Sequence, residues 1–306
     1  MMNVTDYLAE RSKLVDEALD LYTDPRRPRA EGPRLSHAPA QILESMRYSL
    51  MAGGKRLRPV MVIAAAELFD APPERVMPAA CALEMIHTYS LIHDDLTCMD
   101  DDDLRRGRPT NHKVYGEAVA TLAGDSLLTL AFELLARQAE VEGVSPARAV
   151  RVVAEVAQAA GAAGMVGGQI LDLAWEGKHA PAEQLRQIHR LKTGALFSIS
   201  LRAGAILAGA TDADLACLDA YADHFGLAFQ IQDDVLDVVG DAAKTGKGVG
   251  RDIKHDKSTY VSLYGLDGAR EMARQEVAAA LDSLQPFGEK ARYLVKLARF
   301  VVDREG

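Results

Sequence analysis

The sequence predicts an all-α protein, a single-domain bundle of about ten helices over residues 1–306. Hydrophobic residues make up 48% of the chain but aromatic residues only 6%, so the core must be built mainly from Ala, Leu, Val and Ile. Ala and Leu favour helices over strands. Long segments carry apolar residues at helical spacing, and none shows the alternation that is typical of a strand. Neither an internal repeat nor a low-complexity linker divides the chain.

Apolar spacing and capping residues predict where the individual helices begin and end. The first helix covers about 5–22, and a Pro- and Arg-rich loop follows at 24–33. The second begins near Pro39 and ends at Gly53-Gly54, and the third begins at Pro59, a residue suited to a first helical turn. The remaining predicted helices lie at 78–97, 111–142, 146–173, 181–210 and 212–239.

One long segment, 240–258, lacks apolar periodicity and holds four Gly and five Lys or Arg residues. A compact domain rarely keeps such a loop without a function, so we predict that it acts as a lid.

Charge and cysteine usage exclude several classes of protein. The chain has 35 basic and 44 acidic residues, a net charge of −9, which disfavours nucleic acid as a partner. Cys81, Cys98 and Cys217 show no metal-binding spacing, which favours free thiols in a reducing compartment. The first residues lack the apolar run of a secretory signal, and no stretch approaches the roughly 20 apolar residues of a membrane helix. We therefore expect a cytoplasmic protein without a membrane span.

A first acidic motif ends the helix predicted at 78–97: residues 91–103 read LIHDDLTCMDDDD. Asp94 and Asp95 follow an apolar helix that carries no Lys or Arg on its last turns, and a helix C-terminus disfavours negative charge. A hard divalent cation bound by oxygen ligands would keep them ionised. A solvated acidic loop is the alternative, and it suits the run that begins at Asp100 better than it suits Asp94 and Asp95.

A second acidic motif, FQIQDDVLD at 229–237, favours the metal interpretation. Gln230, Asp233, Asp234 and Asp237 share one helical stripe of an otherwise apolar helix, where unpaired like charges are destabilising. Two such motifs, far apart in sequence, can face each other across a cavity and share metal ions. Neither has the alternating Asp and central Gly of a calcium-binding EF-hand loop.

Basic residues that could meet a phosphate occur in three places. Magnesium binds through a few carboxylates together with substrate phosphates, so such partners are expected. GGKRLRP at 53–59 precedes a helix start, where Lys55 and Arg58 can combine with free backbone N–H groups to bind an anion. This motif lacks the GxxxxGK[ST] order of a nucleotide-binding P-loop, which argues against an NTPase.

The other two basic groups are Arg105 with Arg106, after the first acidic motif, and Lys247 with Lys257, on the predicted lid. The arginines could clamp phosphate oxygens, and the lysines could close over a bound diphosphate. The alternatives are that the lysines are solvated and that the arginines only offset the acids beside them.

Together these motifs resemble the trans-prenyltransferase (polyprenyl synthetase) family. The matching stretches run in order across roughly residues 40–270 and are GGKRLRP (53–59), EMIHTYSLIHDDLTCMDDDDLRRGRPTNH (84–112), GDSLL (124–128), GGQILDL (167–173), KTGALF (192–197), FQIQDDVLD (229–237) and DIKHDKSTYVSLYGLDGA (252–269). The resemblance implies an isoprenoid-synthase-type helical bundle with a central cavity, a homodimer, and three Mg²⁺ ions around an allylic diphosphate. Thr97 is a departure, because many bacterial members have Pro there, and it puts the shape of the following loop in doubt.

The resemblance also assigns roles by position. The metal ions would be bound by Asp94, Asp100 and Asp233, supported by Asp95, Asp234 and Asp237. Isopentenyl diphosphate would be bound by Lys55, Arg58, His87 and Arg106. The allylic diphosphate would be bound by Arg105, Lys192, Lys247 and Lys257. The Lys192 carbonyl, the Thr193 hydroxyl and Gln230 are candidates for stabilising an allylic carbocation. Without the resemblance, His87 would be interpreted as a core histidine bonded to a carbonyl.

The implied reaction is the condensation of isopentenyl diphosphate with dimethylallyl or geranyl diphosphate, giving farnesyl diphosphate and inorganic diphosphate. Tyr89 and Ser90, the latter one turn (about 5.4 Å) below Asp94, are candidates for a cavity floor that limits product length. A bulky Tyr here resembles bacterial farnesyl diphosphate synthases, whereas geranylgeranyl diphosphate synthases, the alternative, tend to have a smaller residue. Tyr89 could also serve only in helix packing.

Other interpretations fit less well. A terpene cyclase would not need the isopentenyl site. A non-catalytic subunit of a heteromeric synthase would be expected to lack carboxylates from one motif, and both motifs are intact. A purely structural bundle leaves the buried acids unexplained.

Overall fold

The computed structural model describes residues 3–26, 33, 35–239 and 258–303. Within these residues the chain forms thirteen α-helices and one short antiparallel ribbon. The helices are α1 (Val4–Tyr22), α2 (Ala40–Leu50), α3 (Leu57–Glu67), α4 (Met77–Asp94), α5 (Asn111–Tyr115), α6 (Glu117–Arg137), α7 (Pro146–Ala160), α8 (Met165–Trp175), α9 (Ala182–His189), α10 (Ala195–Ala208), α11 (Asp212–Val239), α12 (Tyr260–Ser283) and α13 (Arg292–Asp303). The ribbon pairs β1 (Leu104–Arg105) with β2 (Arg108–Pro109). The predicted all-α fold is confirmed.

Shorter helical turns connect these elements. A π-helical segment, Arg190–Gly194, joins α9 to α10. Short 3₁₀ turns occupy Pro73–Val76, Gln138–Glu140 and Gln285–Ala291.

Three of the predicted helices are divided in the structure, which raises the helix count above the prediction. Gly116, at φ 84°, separates α5 from α6 within the helix expected at 111–142. The helix expected at 146–173 breaks between α7 and α8, and the one expected at 181–210 contains the π-helical segment. The boundaries differ because a glycine with positive φ or an irregular turn ends regular hydrogen bonding while the apolar pattern continues.

Side-chain caps explain several helix starts. Asn3 accepts a hydrogen bond from a backbone N–H in the first turn of α1, at 2.7 Å. Ser145 does the same for α7, where Pro146 follows as the first helical residue. At α3 the start differs from prediction: the helix begins at Leu57, directly after Arg56, which adopts a left-handed φ of 46°.

The core is formed by closely packed helices rich in small residues. Every residue of α3 from Pro59 to Ala66 is buried. On α10, a Cβ added to Gly204 would lie 2.0 Å from the carbonyl oxygen of Val62, so these two helices are in backbone contact. An edge-to-face cluster joins α10 to α11, with ring centroids of Phe197 5.2 Å from Phe225 and 5.1 Å from Phe229. This packing holds the second acidic motif against the centre of the bundle.

Three helical stretches are long and apolar enough to cross a membrane by length and composition alone: Glu117–Glu140, Pro146–Trp175 and Ala182–Ala208. In each stretch, part of the most apolar 18-residue segment is buried inside the protein: 44%, 33% and 56% respectively. The expectation that no stretch approaches this length therefore does not hold by this measure. The absence of a membrane span stays a prediction.

Candidate active site

A cavity of about 1190 Å³ lies between the C-terminal ends of α4 and α11. Most predicted site residues in the described chain line it: Lys55, Arg58, His87, Tyr89, Ser90, Asp94, Asp100, Arg105, Arg106, Lys192, Thr193, Gln230, Asp233, Asp234 and Asp237. Asp95 is not among the lining residues. Lys247, Lys257 and the predicted lid apart from Ser258 lie outside the described residues. The fold thus brings together residues that are widely separated in sequence.

In the first acidic motif, the chain after α4 turns back so that Asp100 lies next to Asp94. Asp94 is the last residue of α4, and the N–H of Asp100 donates to the carbonyl oxygen of Asp94 at 2.9 Å. Burial raises the pKa of the Asp94 carboxyl to about 6, and the neighbouring Asp100 carboxylate adds to this rise, while Lys192 opposes it. A carboxylate in such a position is stabilised in its charged form by a nearby cation.

Asp95 has a different environment from Asp94. Its side chain is buried, and Arg105 on β1 holds it through Nε at 2.8 Å and Nη2 at 2.6 Å. Burial raises the pKa of Asp95, and the hydrogen bond from Arg105 opposes that rise. This pair explains how the ribbon is anchored to α4. It also means that Arg105 reaches the cavity while engaged with an acid, as the charge-offsetting alternative proposed.

The carboxylates of the second acidic motif also divide into two groups. Asp233 and Asp237 line the cavity from α11. Asp234 is 5% exposed, and it accepts a 2.7 Å hydrogen bond from the backbone N–H of Tyr260, the first residue of α12. A carboxylate at a helix N-terminus is favoured by the helix dipole. Asp234 therefore connects α11 to the start of α12, besides facing the cavity.

The basic wall of the cavity is built from the turn before α3 and from the ribbon. Gly53 has a φ of 81° and accepts a hydrogen bond from the Arg106 guanidinium. Gly54 has a φ of 128°, which favours glycine, and a Cβ there would lie 2.7 Å from Cζ of Arg106 in its present position. Burial lowers the pKa of Arg58 to about 10, and its guanidinium lies 4.8 Å from the ring centroid of Phe197.

Arg58 has the properties expected of an anion-binding residue. Within the described chain, its buried Nε has no hydrogen-bond partner. A buried cation with an unsatisfied donor is costly unless an anion completes it. A diphosphate oxygen would supply both the charge and the acceptor.

Sequence reasoning missed a buried ion pair in this wall, whose two residues, Arg56 and Glu84, also line the cavity. Arg56 donates through Nη1 to Glu84 at 2.7 Å and through Nε to Asp16 at 2.8 Å. Both Arg56 and Glu84 are almost completely buried, at 3% and 2% exposure. The pair fixes the turn that carries Lys55 and Arg58. The available signal was Arg56 itself, because it lies inside GGKRLRP and a third basic residue there needed an acidic partner.

A second missed residue is Asp172, on α8. Its carboxylate pairs with the Lys192 ammonium at 2.7 Å. A Cβ on Gly168 would lie 2.2 Å from the backbone nitrogen of Lys192, so α8 touches the π-helical segment directly. The π-helical turn places both Lys192 and Thr193 at the cavity. Asp172 lies within the matching stretch GGQILDL, which was the signal that could have found it.

The donor set fits hard divalent cations held partly by a substrate. Among the described residues, no group of three or more His, Cys, Asp or Glu side chains is arranged as a closed metal site. The carboxylates of Asp94, Asp100, Asp233 and Asp237 nevertheless open onto one cavity. Mg²⁺ prefers this arrangement, in which a few carboxylates share the ion with waters and phosphate oxygens.

Comparison with known proteins identifies the family of the chain. The chain is 48% identical over 267 residues to the farnesyl diphosphate synthase of Bacillus subtilis (strain 168), covering 87% of this chain and 86% of that protein. It is 45% identical over 303 residues to the geranylgeranyl diphosphate synthase of Cyanophora paradoxa, covering 99% and 97%. Its fold is similar to the crystal structure of a FPP/GFPP synthase from Zymomonas mobilis, with a TM-score of 0.82 and 38% identity over 98% of both chains. Residues 39–297 match the polyprenyl synthetase family. The chain therefore belongs to the polyprenyl synthetase family and is a prenyltransferase.

Proposed function

We propose that this prenyltransferase condenses isopentenyl diphosphate with dimethylallyl or geranyl diphosphate to give farnesyl diphosphate. The observation that carries the proposal is the cavity of about 1190 Å³ that two aspartate motifs line together with the basic side chains of Lys55, Arg58 and Arg106. Such a cavity offers two places for diphosphates, one with carboxylates for bridging cations and one with direct basic partners. A reaction that joins two diphosphate substrates needs both.

The two substrates are assigned to opposite sides of the cavity. The allylic diphosphate lies between the aspartate motifs, beside Lys192. Isopentenyl diphosphate lies against Arg58, Arg106, Lys55 and His87. Arg58 supports this placement, because its buried and incompletely bonded guanidinium is stabilised by an added anion.

Magnesium ions, three per site by the resemblance, would be held by Asp94, Asp100 and Asp233 and would neutralise charge on the departing diphosphate. The chain's own groups act around that event. The C1–O bond of the allylic substrate breaks with its electron pair leaving on the diphosphate, and the isopentenyl double bond forms a new bond to C1. The proton lost from C2 of the isopentenyl unit passes to the released diphosphate. Lys192 and Arg105 stabilise the leaving diphosphate by charge.

The allylic cation needs a dry environment with aligned dipoles. We assign its stabilisation to the Lys192 carbonyl, the Thr193 hydroxyl and the Gln230 side-chain oxygen, all of which belong to residues that line the cavity. Phe229 contributes an aromatic face to the same lining. Because aromatic faces carry negative charge density, Phe229 also favours a cation nearby.

The C15 product length rests on Tyr89. Its side chain is 7% exposed and lines the cavity from α4, one turn and a residue before Asp94. A buried aromatic ring there leaves little depth for a longer chain. A geranylgeranyl product is the alternative, since the similar proteins include synthases named for each product. A homodimer and a cytoplasmic location also remain proposals, which sedimentation analysis of the purified chain and cell fractionation would test.

A product assay tests the proposal directly. Purified protein is incubated with Mg²⁺, isopentenyl diphosphate and, separately, C5, C10 or C15 allylic diphosphate, and products are identified by mass spectrometry. We expect C15 from the C5 and C10 starters and little elongation of C15. A C20 product would overturn the chain length but not the reaction. No condensation from any starter would favour a terpene cyclase or a non-catalytic subunit.

A further inference from the structure

Beside Tyr89 lies a histidine that the proposed reaction does not use. His93 follows Tyr89 by one helical turn on α4, and both residues line the cavity. Their rings meet edge to face, with centroids 5.6 Å apart and planes at 81°. Residues four apart on a helix share one face, so the position of one ring limits the other. His93 is therefore placed to support the candidate floor.

The His93 ring is itself fixed from α6. Its Nε2 lies 3.0 Å from the carbonyl oxygen of Thr121, and a carbonyl only accepts, so Nε2 is the donor. The Asp125 carboxylate lies 3.9 Å from the same nitrogen. One hydrogen bond and a nearby carboxylate thus hold the imidazole against α6, and the ring contact passes this restraint to Tyr89.

Gly124 on α6 makes the arrangement possible. A Cβ added there would lie 2.2 Å from Nε2 of His93 and 2.6 Å from its Cδ2. Gly124 lies inside α6 and is not among the residues with positive φ, so its backbone does not require glycine. A glycine within a helix costs about 0.5–1 kcal/mol relative to alanine. Because Gly124 has no Cβ, the His93 ring has space to lie against α6.

We propose that Gly124 and His93 determine product length by positioning Tyr89 at the floor of the cavity. This inference rests on the proposed condensation, and it adds two positioning residues that never touch the reacting atoms. A side chain at position 124 displaces His93 away from α6 and towards Tyr89, which makes the cavity shallower. Removal of the His93 ring leaves Tyr89 unsupported, which makes the cavity deeper.

Four proteins test this: Gly124→Ala, His93→Ala, the double variant, and Gly268→Ala as a control on α12. Position 268 is a helical glycine whose added Cβ would lie 3.2 Å from Cβ of Tyr264, and it does not line the cavity. Each is assayed with C5 and C10 starters, with product lengths, KM for isopentenyl diphosphate and thermal unfolding measured together.

We expect Gly124→Ala to raise the C10-to-C15 product ratio about tenfold, equivalent to roughly 1.4 kcal/mol in relative barriers. His93→Ala should instead raise the C20-to-C15 ratio by a similar factor. The double variant should follow His93→Ala, because the loss of the imidazole leaves space for the new Cβ. KM for isopentenyl diphosphate should not change, because neither substitution is at the isopentenyl site. A general structural defect would instead alter KM and the product ratio together.

The outcomes separate the two proposals. If the wild-type protein forms no condensation product, the proposed function fails. If it forms C15 and Gly124→Ala and His93→Ala give the same product distribution as Gly268→Ala, only the positioning inference fails. Should Gly124→Ala not fold, the product distributions of His93→Ala and the double variant are compared with that of Gly268→Ala instead. Both of these variants lack the imidazole, so an added Cβ at position 124 has nothing to clash with.

Discussion

Replacing Glu84 with Gln should destabilise the protein and make its stability depend more strongly on diphosphate than that of wild type. The substitution keeps the side-chain shape but removes the charge that pairs with Arg56 at 2.7 Å. Glu84 is also the strongest of the charges that keep Arg58 and Arg106 protonated against the effect of burial. Its loss leaves the guanidinium groups of Arg56, Arg58 and Arg106 with less compensating negative charge.

The expected loss follows from the burial of the pair. Removing one partner of a buried ion pair typically costs about 3–5 kcal/mol. Arg56 keeps its hydrogen bond to Asp16, whose side chain is 43% exposed, so we expect the lower end of that range. For a large domain, about 3 kcal/mol lowers the unfolding temperature by roughly 6–12 °C.

The assay is thermal unfolding with and without inorganic diphosphate. An added anion supplies the negative charge missing beside Arg58 and Arg106, so diphosphate should raise the unfolding temperature more in Glu84→Gln than in wild type. Glu67→Gln is the matched control, because Glu67 pairs with Arg11 at 2.7 Å and does not line the cavity. Its response to diphosphate should equal that of wild type. Equal responses in all three proteins would refute the link between Glu84 and the anion site.

Three further predictions concern the cavity. Tyr89→Ala should lengthen the main product from C15 to C20, and an unchanged C15 product would show that the floor lies elsewhere. Gln230→Leu should abolish condensation while substrate binding, measured by calorimetry, persists; full activity would remove Gln230 from the mechanism. The folded-state pKa of Asp94, about 6, exceeds its ordinary value of 3.8, so the ionisation of Asp94 destabilises the metal-free fold progressively as the pH rises between these two values and fully above them. Asp94→Asn should therefore unfold at a higher temperature than wild type at pH 7 in EDTA, a difference that vanishes near pH 4 as wild type becomes protonated. A lower unfolding temperature at pH 7 would contradict this reasoning.

The sequence could identify the aspartates but not separate their tasks. Asp94 and Asp95 are neighbours in one motif, yet only Asp94 lines the cavity, while Asp95 holds Arg105. Asp233 and Asp234 both line the cavity, but only Asp234 also accepts a hydrogen bond from the first N–H of α12. Adjacent residues on a helix point about 100° apart, so the direction of each side chain depends on which elements surround the helix.

What the sequence determined by itself is the helical architecture, the family, and many of the residues that line the cavity. Those conclusions depend on local properties, namely apolar periodicity, charge placed on apolar helices, and motif order. Only the tertiary structure decided that Glu84 pairs with Arg56, that Asp172 pairs with Lys192, and that Gly124 admits His93. Each of these contacts joins residues 20 to 31 positions apart on different elements. Periodicity along one helix carries no information about which neighbour it meets, so such pairs arise only when the bundle is assembled.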